Sequence, residues 1–288
     1  AGGITMRRPP LVLSIQSQVV MGHVGNSAAV FPMQAAGLEV AQIPTVLFSN
    51  TPFYPTLRGH ALPPDLFADL LLGAEERGLP ARAQFLITGY IGSIEVARLT
   101  ADFVRRAKAV NPGLLYLCDP VMGDTGPGLY VPTEIASVIR NDLLPMADIA
   151  TPNPFELSWL TDSDPVTTLA DVSHVGARLG LHQNAALVAT GCVLRETAAG
   201  MIETVVLGPD GLSRHPVRKL PIAISGTGDL FAALIIAGIS AGLRLSDAVD
   251  AAQVQMTRAI TRAQVLGAEE VVLSDPDFRR ALLQPGSD

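Results

Sequence analysis

The chain has 288 residues, of which 48% are hydrophobic and only 16% are charged. Charged residues make up about 25% of an ordinary soluble domain, so this composition excludes a disordered chain or a coiled coil and indicates a large buried core. The formal net charge is -7 and no basic tract occurs, which makes nucleic acid and anionic membranes unfavourable partners.

The sequence contains no linker, internal repeat or low-complexity tract, so we predict a single domain over residues 11–288. Residues 1–10 are interpreted as an N-terminal extension that could be a tag remnant ahead of Met6. The most apolar stretch, residues 230–243, is shorter than the roughly 20 residues that a membrane span needs. With no recognisable signal peptide either, a cytoplasmic protein is predicted.

Short apolar runs rich in Val, Ile and Leu alternate with segments whose apolar residues recur every three or four positions. The first pattern is typical of buried strands and the second of helices that pack by one face. The predicted strands are residues 11–15, 40–48, 84–88, 114–118, 148–150, 185–190, 201–207 and 211–218. This alternation predicts an α/β fold of three layers, α/β/α, with a mostly parallel, doubly wound sheet.

The last two predicted strands are separated by Gly208-Pro209-Asp210-Gly211. Because Asp-Gly suits the positive φ of a tight reversal, they are predicted to form a hairpin at an antiparallel edge of the sheet. Helices are predicted after it at 229–241, 246–266 and 275–283, with Ser246 capping the second and Ser274 or Asp275 the third. Cys118 and Cys192 lie within or beside apolar runs and are interpreted as buried, unreactive thiols.

Polar residues follow six predicted strands in succession. Ligands of open parallel α/β sheets bind beyond the carboxyl ends of the strands, so these residues are candidates for a site. They include Ser17, Thr51, Tyr90, Asp119, Asp124, Thr151, Asn153, Glu156 and Thr190. Contact of loops with water explains any single one of them, but the whole set favours a binding site.

The motif Ser225-Gly226-Thr227-Gly228-Asp229 stands directly before the apolar segment. Its two glycines allow backbone amides to turn inward at a helix N-terminus, where the helix dipole also favours an anion. Asp229 could accept a proton from a substrate hydroxyl as that oxygen attacks a phosphoryl group. The alternative is an ordinary turn with Asp229 as an N-cap, and the short motif leaves both open.

The chain has only two lysines, Lys108 and Lys219, and neither follows a glycine-rich loop, which excludes a P-loop enzyme. Any bound nucleotide must therefore be neutralised by backbone amides and a cation. Asp119, Asp124 and Glu156 are placed to hold Mg²⁺ directly or through water. The alternatives are turn caps for the two aspartates and a plain exposed helix position for Glu156.

The order of the motifs resembles pyridoxal kinases of the ribokinase superfamily, from about Leu11 to about Leu243. The Gly226–Asp229 turn and Asp119-Pro120-Val121-Met122 match the wider superfamily, whereas Gly22-His23-Val24-Gly25-Asn26 and Gly89-Tyr90-Ile91-Gly92-Ser93 match the pyridoxal branch. Further matching segments are 15–17, 31–33, 48–50, 118–124, 130–132, 147–153 and 226–233.

The resemblance implies a ribokinase-like fold without a separate lid and commonly a homodimer. It also implies transfer of the γ-phosphoryl group of ATP to the 5′-hydroxymethyl group of pyridoxal, pyridoxine or pyridoxamine, with Mg²⁺ and often K⁺. Pyridoxal would give pyridoxal 5′-phosphate and ADP.

The same resemblance assigns roles to individual residues. Asp229 would be the catalytic base and contact the substrate, with Gly226, Thr227 and Gly228 as the anion hole. Ser17 would contact the pyridine ring, Tyr90 would stack on it, and Thr51 would also bind the substrate. The ATP-binding positions would be Asp119, Asp124, Thr151, Asn153, Glu156 and Thr190, with Asp119 and Glu156 as metal ligands.

Two segments depart from the family pattern. Ser17-Gln18-Val19 stands where the family usually has Ser-His-Val, and Asn50-Thr51-Pro52 stands where it has Asn-His-Thr. The second departure lies where the family binds the phenolic oxygen and aldehyde of the vitamin, so it concerns the substrate more than the chemistry. Two alternatives stay open, a hydroxymethylpyrimidine kinase of the same fold and a non-catalytic protein that binds B6 vitamers or nucleotide.

Overall fold

The computed structural model describes residues 8–283. Most of the predicted N-terminal extension, including Met6, lies outside the described residues, as do residues 284–288. Residues 8–10 lead without regular structure into the first strand.

Within residues 8–283, nine strands form one sheet, and two more form a small separate hairpin. In chain order the strands are β1 Leu11–Val19, β2 Glu39–Phe48, β3 Gly59–Ala61, β4 Phe85–Thr88, β5 Leu115–Cys118, β6 Gly123–Asp124, β7 Gly128–Leu129, β8 Ile149–Ala150, β9 Ala186–Cys192, β10 Met201–Gly208 and β11 Gly211–Arg218. The large sheet has the order β11-β10-β9-β8-β5-β4-β1-β2-β3, and β6 pairs with β7.

The centre of the sheet is parallel and both edges are antiparallel. Strand β1 pairs in parallel with β2 and β4, and the parallel pairing continues through β5, β8 and β9. The predicted hairpin is confirmed, since β10 and β11 run antiparallel with Gly208 opposite Gly211 at the closed end. Strand β3 adds a second antiparallel edge that the sequence pattern did not predict.

The helices are α1 Asn26–Ala35, α2 Pro64–Glu76, α3 Leu79–Arg82, α4 Ile94–Val110, α5 Thr133–Val138, α6 Pro154–Leu160, α7 Leu169–Gly176, α8 Thr227–Ser240, α9 Leu245–Leu266 and α10 Pro276–Leu283. A π-helical turn and a 3₁₀ turn extend α5 as far as Met146. None of the helices in the described region is long and apolar enough to span a membrane.

Buried side chains form one apolar layer on each face of the sheet. Leu13 and Ile15 of β1 pack with helices α2 to α7, whereas Val12 packs with α1, α8, α9 and α10. This alternation within one strand is expected when both faces of a sheet are covered. The predicted three-layer α/β/α fold is therefore confirmed. Cys118 and Cys192 are buried free thiols, and burial raises the pKa of each to about 12.

The predicted caps of the last two helices have different outcomes. Asp275 caps α10, because its Oδ2 accepts the Phe278 N–H at 2.9 Å while its carboxylate pairs with Arg262. Ser246 does not cap α9, so that prediction is wrong. The helix already begins at Leu245, with Arg244 at the N-cap and no capping side chain. Arg244 instead pairs with Asp247 in the first turn.

Candidate active site

The predicted site residues lie at the carboxyl ends of the parallel strands, as the α/β rule requires. The sheet order divides them into two groups. Ser17, Thr51 and Tyr90 belong to β1, β2 and β4 or the loops that follow these strands. Asp119, Thr151, Asn153, Glu156 and Thr190 belong to β5, β8 and β9 or the segments that follow them. The N-terminus of α8 lies between the two groups. Asp229 accepts the Gly25 N–H on one side, and its negative charge raises the pKa of Asp119 on the other.

Asp229 lies in the first turn of α8 and is only 9% exposed. Its Oδ2 accepts the Gly25 N–H at 2.8 Å, whereas its Oδ1 is buried and has no hydrogen-bond partner. Burial raises the pKa of this carboxyl to about 6, and the Gly25 N–H opposes that rise. The N-cap of α8 is Gly226, with no side-chain cap, so the interpretation of Asp229 as an N-cap is wrong. One carboxylate oxygen is therefore free for a ligand.

Gly226 allows the turn before α8 to lie against the loop after β1. It has a φ of +84°, and a Cβ at this position would overlap the carbonyl oxygen of His23. The N–H groups of Thr227, Gly228 and Asp229 lie in the first turn of the helix and have no intrahelical acceptor, whereas the Leu230 N–H donates to the Gly226 carbonyl. Together with the helix dipole they are suited to bind an anion, and the anion cradle stays a prediction.

Glu156 and Asp119 form the acidic part of the site. The Glu156 side chain accepts the N–H groups of Met122 at 2.8 Å and Asn153 at 3.0 Å, and Asn153 caps α6 in return. Glu156 is 3% exposed, so the alternative of a plain exposed helix position is wrong. Burial raises its pKa to about 7, against the effect of the two amides.

Asp119 is buried at the end of β5, and its pKa is raised well above the usual range. Burial is the largest cause, followed by the negative charges of Glu156 and Asp229, while the Thr151 hydroxyl acts in the opposite direction. None of the basic side chains in the described region lowers the pKa of Asp119 or Glu156. This part of the site therefore has an excess of negative charge that a cation would relieve.

The remaining residues of this group differ in burial. Thr151 is buried beside Asp119, and Thr190 is half-buried with its N–H on the carbonyl of Pro152. The Asn153 amide donates to the Gly123 carbonyl at 2.8 Å and so fixes the start of the β6–β7 hairpin. Asp124 is exposed on that hairpin and accepts the N–H of Thr125, which favours the turn-cap alternative for this residue.

In the group formed by β1, β2 and β4, Ser17 is buried within β1. This strand continues to Val19 and does not end at the predicted residue 15. Tyr90 is half-buried, and its carbonyl accepts the Thr45 hydroxyl at 2.6 Å, so Thr45 fixes the loop after β4. Thr51 is fully buried, and its hydroxyl donates to Glu270 at 3.3 Å. Sequence reasoning missed Thr45 and Glu270, because their partners lie 45 and 219 residues away.

The negative charge of the acidic cluster predicts that Asp119→Asn will stabilise the ligand-free protein at pH 8. A carboxyl with a raised pKa in the folded state is ionised more easily in the unfolded state, so its burial destabilises the fold once the pH passes its unfolded pKa. In EDTA we expect the melting temperature to rise by about 2 to 4 °C for each kcal/mol relieved. The rise should diminish towards about pH 4 and disappear at about pH 3, where the carboxyl is protonated in both the folded and the unfolded state.

Asp124→Asn is the matched control for this measurement, because Asp124 is exposed on the neighbouring hairpin. Its melting temperature should equal that of the wild type at both pH values. The decisive quantity is the melting temperature of Asp119→Asn minus that of the wild type. If this difference were smaller at pH 8 than at pH 4, the assignment of repulsion to this cluster would be wrong.

The three-layer α/β/α fold, with a buried carboxylate in the first turn of one helix, agrees with the ribokinase-like fold that the sequence resemblance implies. A family model described as phosphomethylpyrimidine kinase matches residues 81–273. The pyridoxine/pyridoxal/pyridoxamine kinase of Bordetella avium is 37% identical over 97% of this chain and 95% of that protein. The pyridoxal kinase PdxY of Deinococcus radiodurans is 40% identical over 80% of this chain and 79% of that protein.

Solved structures agree with the sequence comparisons. The pyridoxal kinase from Leishmania donovani in complex with ADP and pyridoxine superposes with a TM-score of 0.85 and 28% identity, covering 96% of each chain. The pyridoxal kinase from Trypanosoma brucei gives a TM-score of 0.83 and 27% identity over 98% of each chain. This chain belongs to the pyridoxal kinases, a ribokinase-like family, as the resemblance in the sequence implied.

Proposed function

We propose that this protein catalyses the ATP-dependent phosphorylation of the 5′-hydroxymethyl group of pyridoxal, giving pyridoxal 5′-phosphate and ADP, and that it also accepts pyridoxine and pyridoxamine. The buried Asp229 carboxylate carries the proposal, because its free Oδ1 lies beside the anion cradle and between the two groups of site residues. The relatives and structures named above are kinases, which supports a catalytic protein over a binding protein without turnover.

In the proposed reaction, the substrate hydroxyl oxygen attacks the γ-phosphorus of ATP. The bond between this phosphorus and the bridging oxygen breaks, and ADP leaves with that oxygen. Asp229 accepts the proton of the hydroxyl group as the new P–O bond forms. The N–H groups of the proposed anion hole, Gly226, Thr227 and Gly228, stabilise the charge on the transferred group.

The two sides of the site have separate tasks in this proposal. Ser17, Thr51 and Tyr90 hold the vitamin on the side of the site formed by β1, β2 and β4. The ATP phosphates lie on the other side, among Asp119, Asp124, Thr151, Asn153, Glu156 and Thr190. Asp229 is placed between the two substrates, where a proton acceptor for the attacking hydroxyl is needed.

The buried carboxylates of Asp119 and Glu156 fit a divalent cation, because nothing basic in the described region offsets their charge. Magnesium held there would neutralise the phosphate oxygens of ATP. Residues 8–283 contain no group of three or more His, Cys, Asp or Glu able to hold a metal ion, so phosphate and water oxygens would complete the coordination. A need for K⁺ rests on the family resemblance alone.

An assay of phosphate transfer from ATP, with Mg²⁺ and K⁺ present, tests the proposed reaction. We expect pyridoxal 5′-phosphate and ADP to form in equal amounts, and activity to fall when Mg²⁺ is removed with EDTA or K⁺ is replaced by tetramethylammonium. The absence of turnover with every B6 vitamer would overturn the proposal. The matching family model is described as phosphomethylpyrimidine kinase, which keeps a pyrimidine substrate as the alternative. A competition between hydroxymethylpyrimidine and pyridoxal decides between the two.

The pKa of Asp229 predicts the acid side of the pH profile. Since the base must be ionised and burial raises its pKa to about 6, kcat/KM should fall about tenfold per pH unit below pH 6. The limb should occur at the same pH with pyridoxine and with pyridoxal, because it belongs to the protein. A limb centred near pH 4 for both substrates would show that an ordinary exposed carboxyl, and not Asp229, controls the rate.

A homodimer is proposed as well, since apolar side chains are exposed around the β2 and β3 edge of the sheet. They are Val20, Met21, Leu47, Phe53 and Leu57. A second copy of the chain would cover this surface, and sedimentation of the wild type and of Met21→Asp tests it. A single kinase domain over residues 11–288 and a cytoplasmic location stay predictions.

A further inference from the structure

Glu270 lies outside every motif of the sequence, yet its carboxylate joins the two loops on the vitamin side of the site. It is buried, with its Oε2 accepting the backbone N–H of His23 at 2.7 Å and its Oε1 accepting the Thr51 hydroxyl at 3.3 Å. Desolvation raises the pKa of Tyr54, and the negative charge of Glu270 adds to that rise. One side chain thus connects the loop after β1 with the loop after β2.

The loop after β1 is held from two directions. At Gly22, where φ is +116°, a Cβ would lie 2.5 Å from Glu270 Oε2, so the carboxylate packs directly on the backbone. On the opposite side, Gly226 lies against the carbonyl of His23. The loop ends at Gly25, whose N–H donates to Asp229. Glu270 therefore lies at one end of a series of contacts that reaches the proposed base.

The backbone around Glu270 has a different task from its side chain. The Ser225 N–H donates to the Glu269 carbonyl at 3.1 Å, and the Val271 N–H donates to the Ser225 carbonyl at 3.3 Å. These bonds support the turn that leads into the anion cradle. Because a substitution at position 270 leaves both backbone bonds possible, it removes the contacts to the vitamin-side loops selectively.

We propose that Glu270 is a positioning residue that fixes the loops at residues 22–26 and 50–54 in the geometry that binds the alcohol substrate. This inference rests on the proposed function. Asp119, Thr151, Asn153 and Thr190 lie across the sheet on β5, β8 and β9 or the segments that follow them, and Glu270 has no bond to any of them. Loss of the carboxylate should therefore weaken binding of the vitamin much more than binding of ATP.

The test compares Glu270→Ala with Glu270→Gln in the full-length protein. Alanine removes both carboxylate oxygens. Glutamine keeps a carbonyl oxygen that can accept the His23 N–H, and its NH₂ group can donate to the Thr51 hydroxyl oxygen. For Glu270→Ala we expect the KM for pyridoxal and its dissociation constant by calorimetry to rise at least tenfold. The KM for ATP should change less than twofold, and Glu270→Gln should recover most of the lost affinity.

Glu269→Ala is the matched control, because this neighbouring glutamate is exposed and contacts Ser225 only through its backbone. It should leave both KM values unchanged. Thr51→Val provides a second variant if Glu270→Ala does not fold, since it removes one bond to the carboxylate and keeps the shape of the side chain. It should raise the KM for pyridoxal alone, by a smaller factor.

An unchanged KM for pyridoxal in a folded Glu270→Ala protein would overturn the inference, as would an equal rise for ATP and pyridoxal. A failure of Glu270→Gln to recover affinity would also contradict it. These outcomes all require an active wild type. Inactivity of the wild type with every vitamer would instead overturn the proposed function, so the two failures are distinguishable.

Discussion

Replacing Asp229 by Asn should lower kcat by a factor of about 10² to 10⁴, the usual contribution of a positioned general base. Asparagine has nearly the same shape and can still accept the Gly25 N–H through its carbonyl oxygen. It cannot take up the proton of the attacking hydroxyl. The KM for ATP should change little, since the acidic cluster and the anion cradle are retained, and steady-state kinetics with pyridoxal measures both effects.

Asp65→Asn is a suitable control because Asp65 also lies in the first turn of a helix, α2, but is exposed. Its kinetics should match the wild type. If Asp229→Asn kept more than a tenth of the wild-type kcat, another group would have to accept the proton and the assignment of Asp229 would be wrong.

Replacing Gly226 by Ala should lower kcat/KM by at least about 10², comparable to the loss of one donor from an oxyanion hole. A Cβ at this position overlaps the His23 carbonyl, and φ of +84° is unfavourable for alanine. The turn must therefore move, and the N–H groups of Thr227 and Gly228 move with it. We expect weaker binding of a nonhydrolysable ATP analogue as well as slower turnover, because the proposed cradle would contact phosphate in the bound complex and in the transition state.

Gly242→Ala is the control that separates the cost of alanine at a positive φ from the effect of displacing the turn before α8. Gly242 has a similar φ of +92° after the other end of α8, and a Cβ there meets nothing within 4 Å. It should cost about 1 kcal/mol of stability and leave kcat/KM unchanged. Equal kinetic losses in the two variants would contradict a specific role for the turn at Gly226.

The sequence predicted the core of the sheet well because its parallel strands are buried on both faces and therefore appear as continuous apolar runs. Strands β5 and β8 are within one residue of their predicted bounds. The short strands β3, β6 and β7 have only two or three residues and no apolar run, so periodicity could not detect them. The true extent of β1 was also missed, because its last residues are the polar Gln16-Ser17-Gln18.

The candidate site was predictable where its chemistry is local in the sequence. The Gly226–Asp229 turn and the capping pair of Asn153 and Glu156 are each formed by residues within three positions of one another. Glu270 could not be found in this way, since its bond to His23 spans 247 residues. A glutamate before an apolar run resembles any solvated strand end, and only the three-dimensional packing distinguishes it.

The order of strands in the sheet also has a consequence for how new activities could arise in this scaffold. Residues proposed to bind the alcohol lie in or after β1, β2 and β4, and those proposed to bind the nucleotide lie in or after β5, β8 and β9, with no strand shared. Substitutions on the acceptor side, outside residues 22–26 that contact the start of α8, would therefore leave the proposed contacts of the phosphate donor intact. A library confined to the first three loops could then change which alcohol is phosphorylated while ATP remains the common donor.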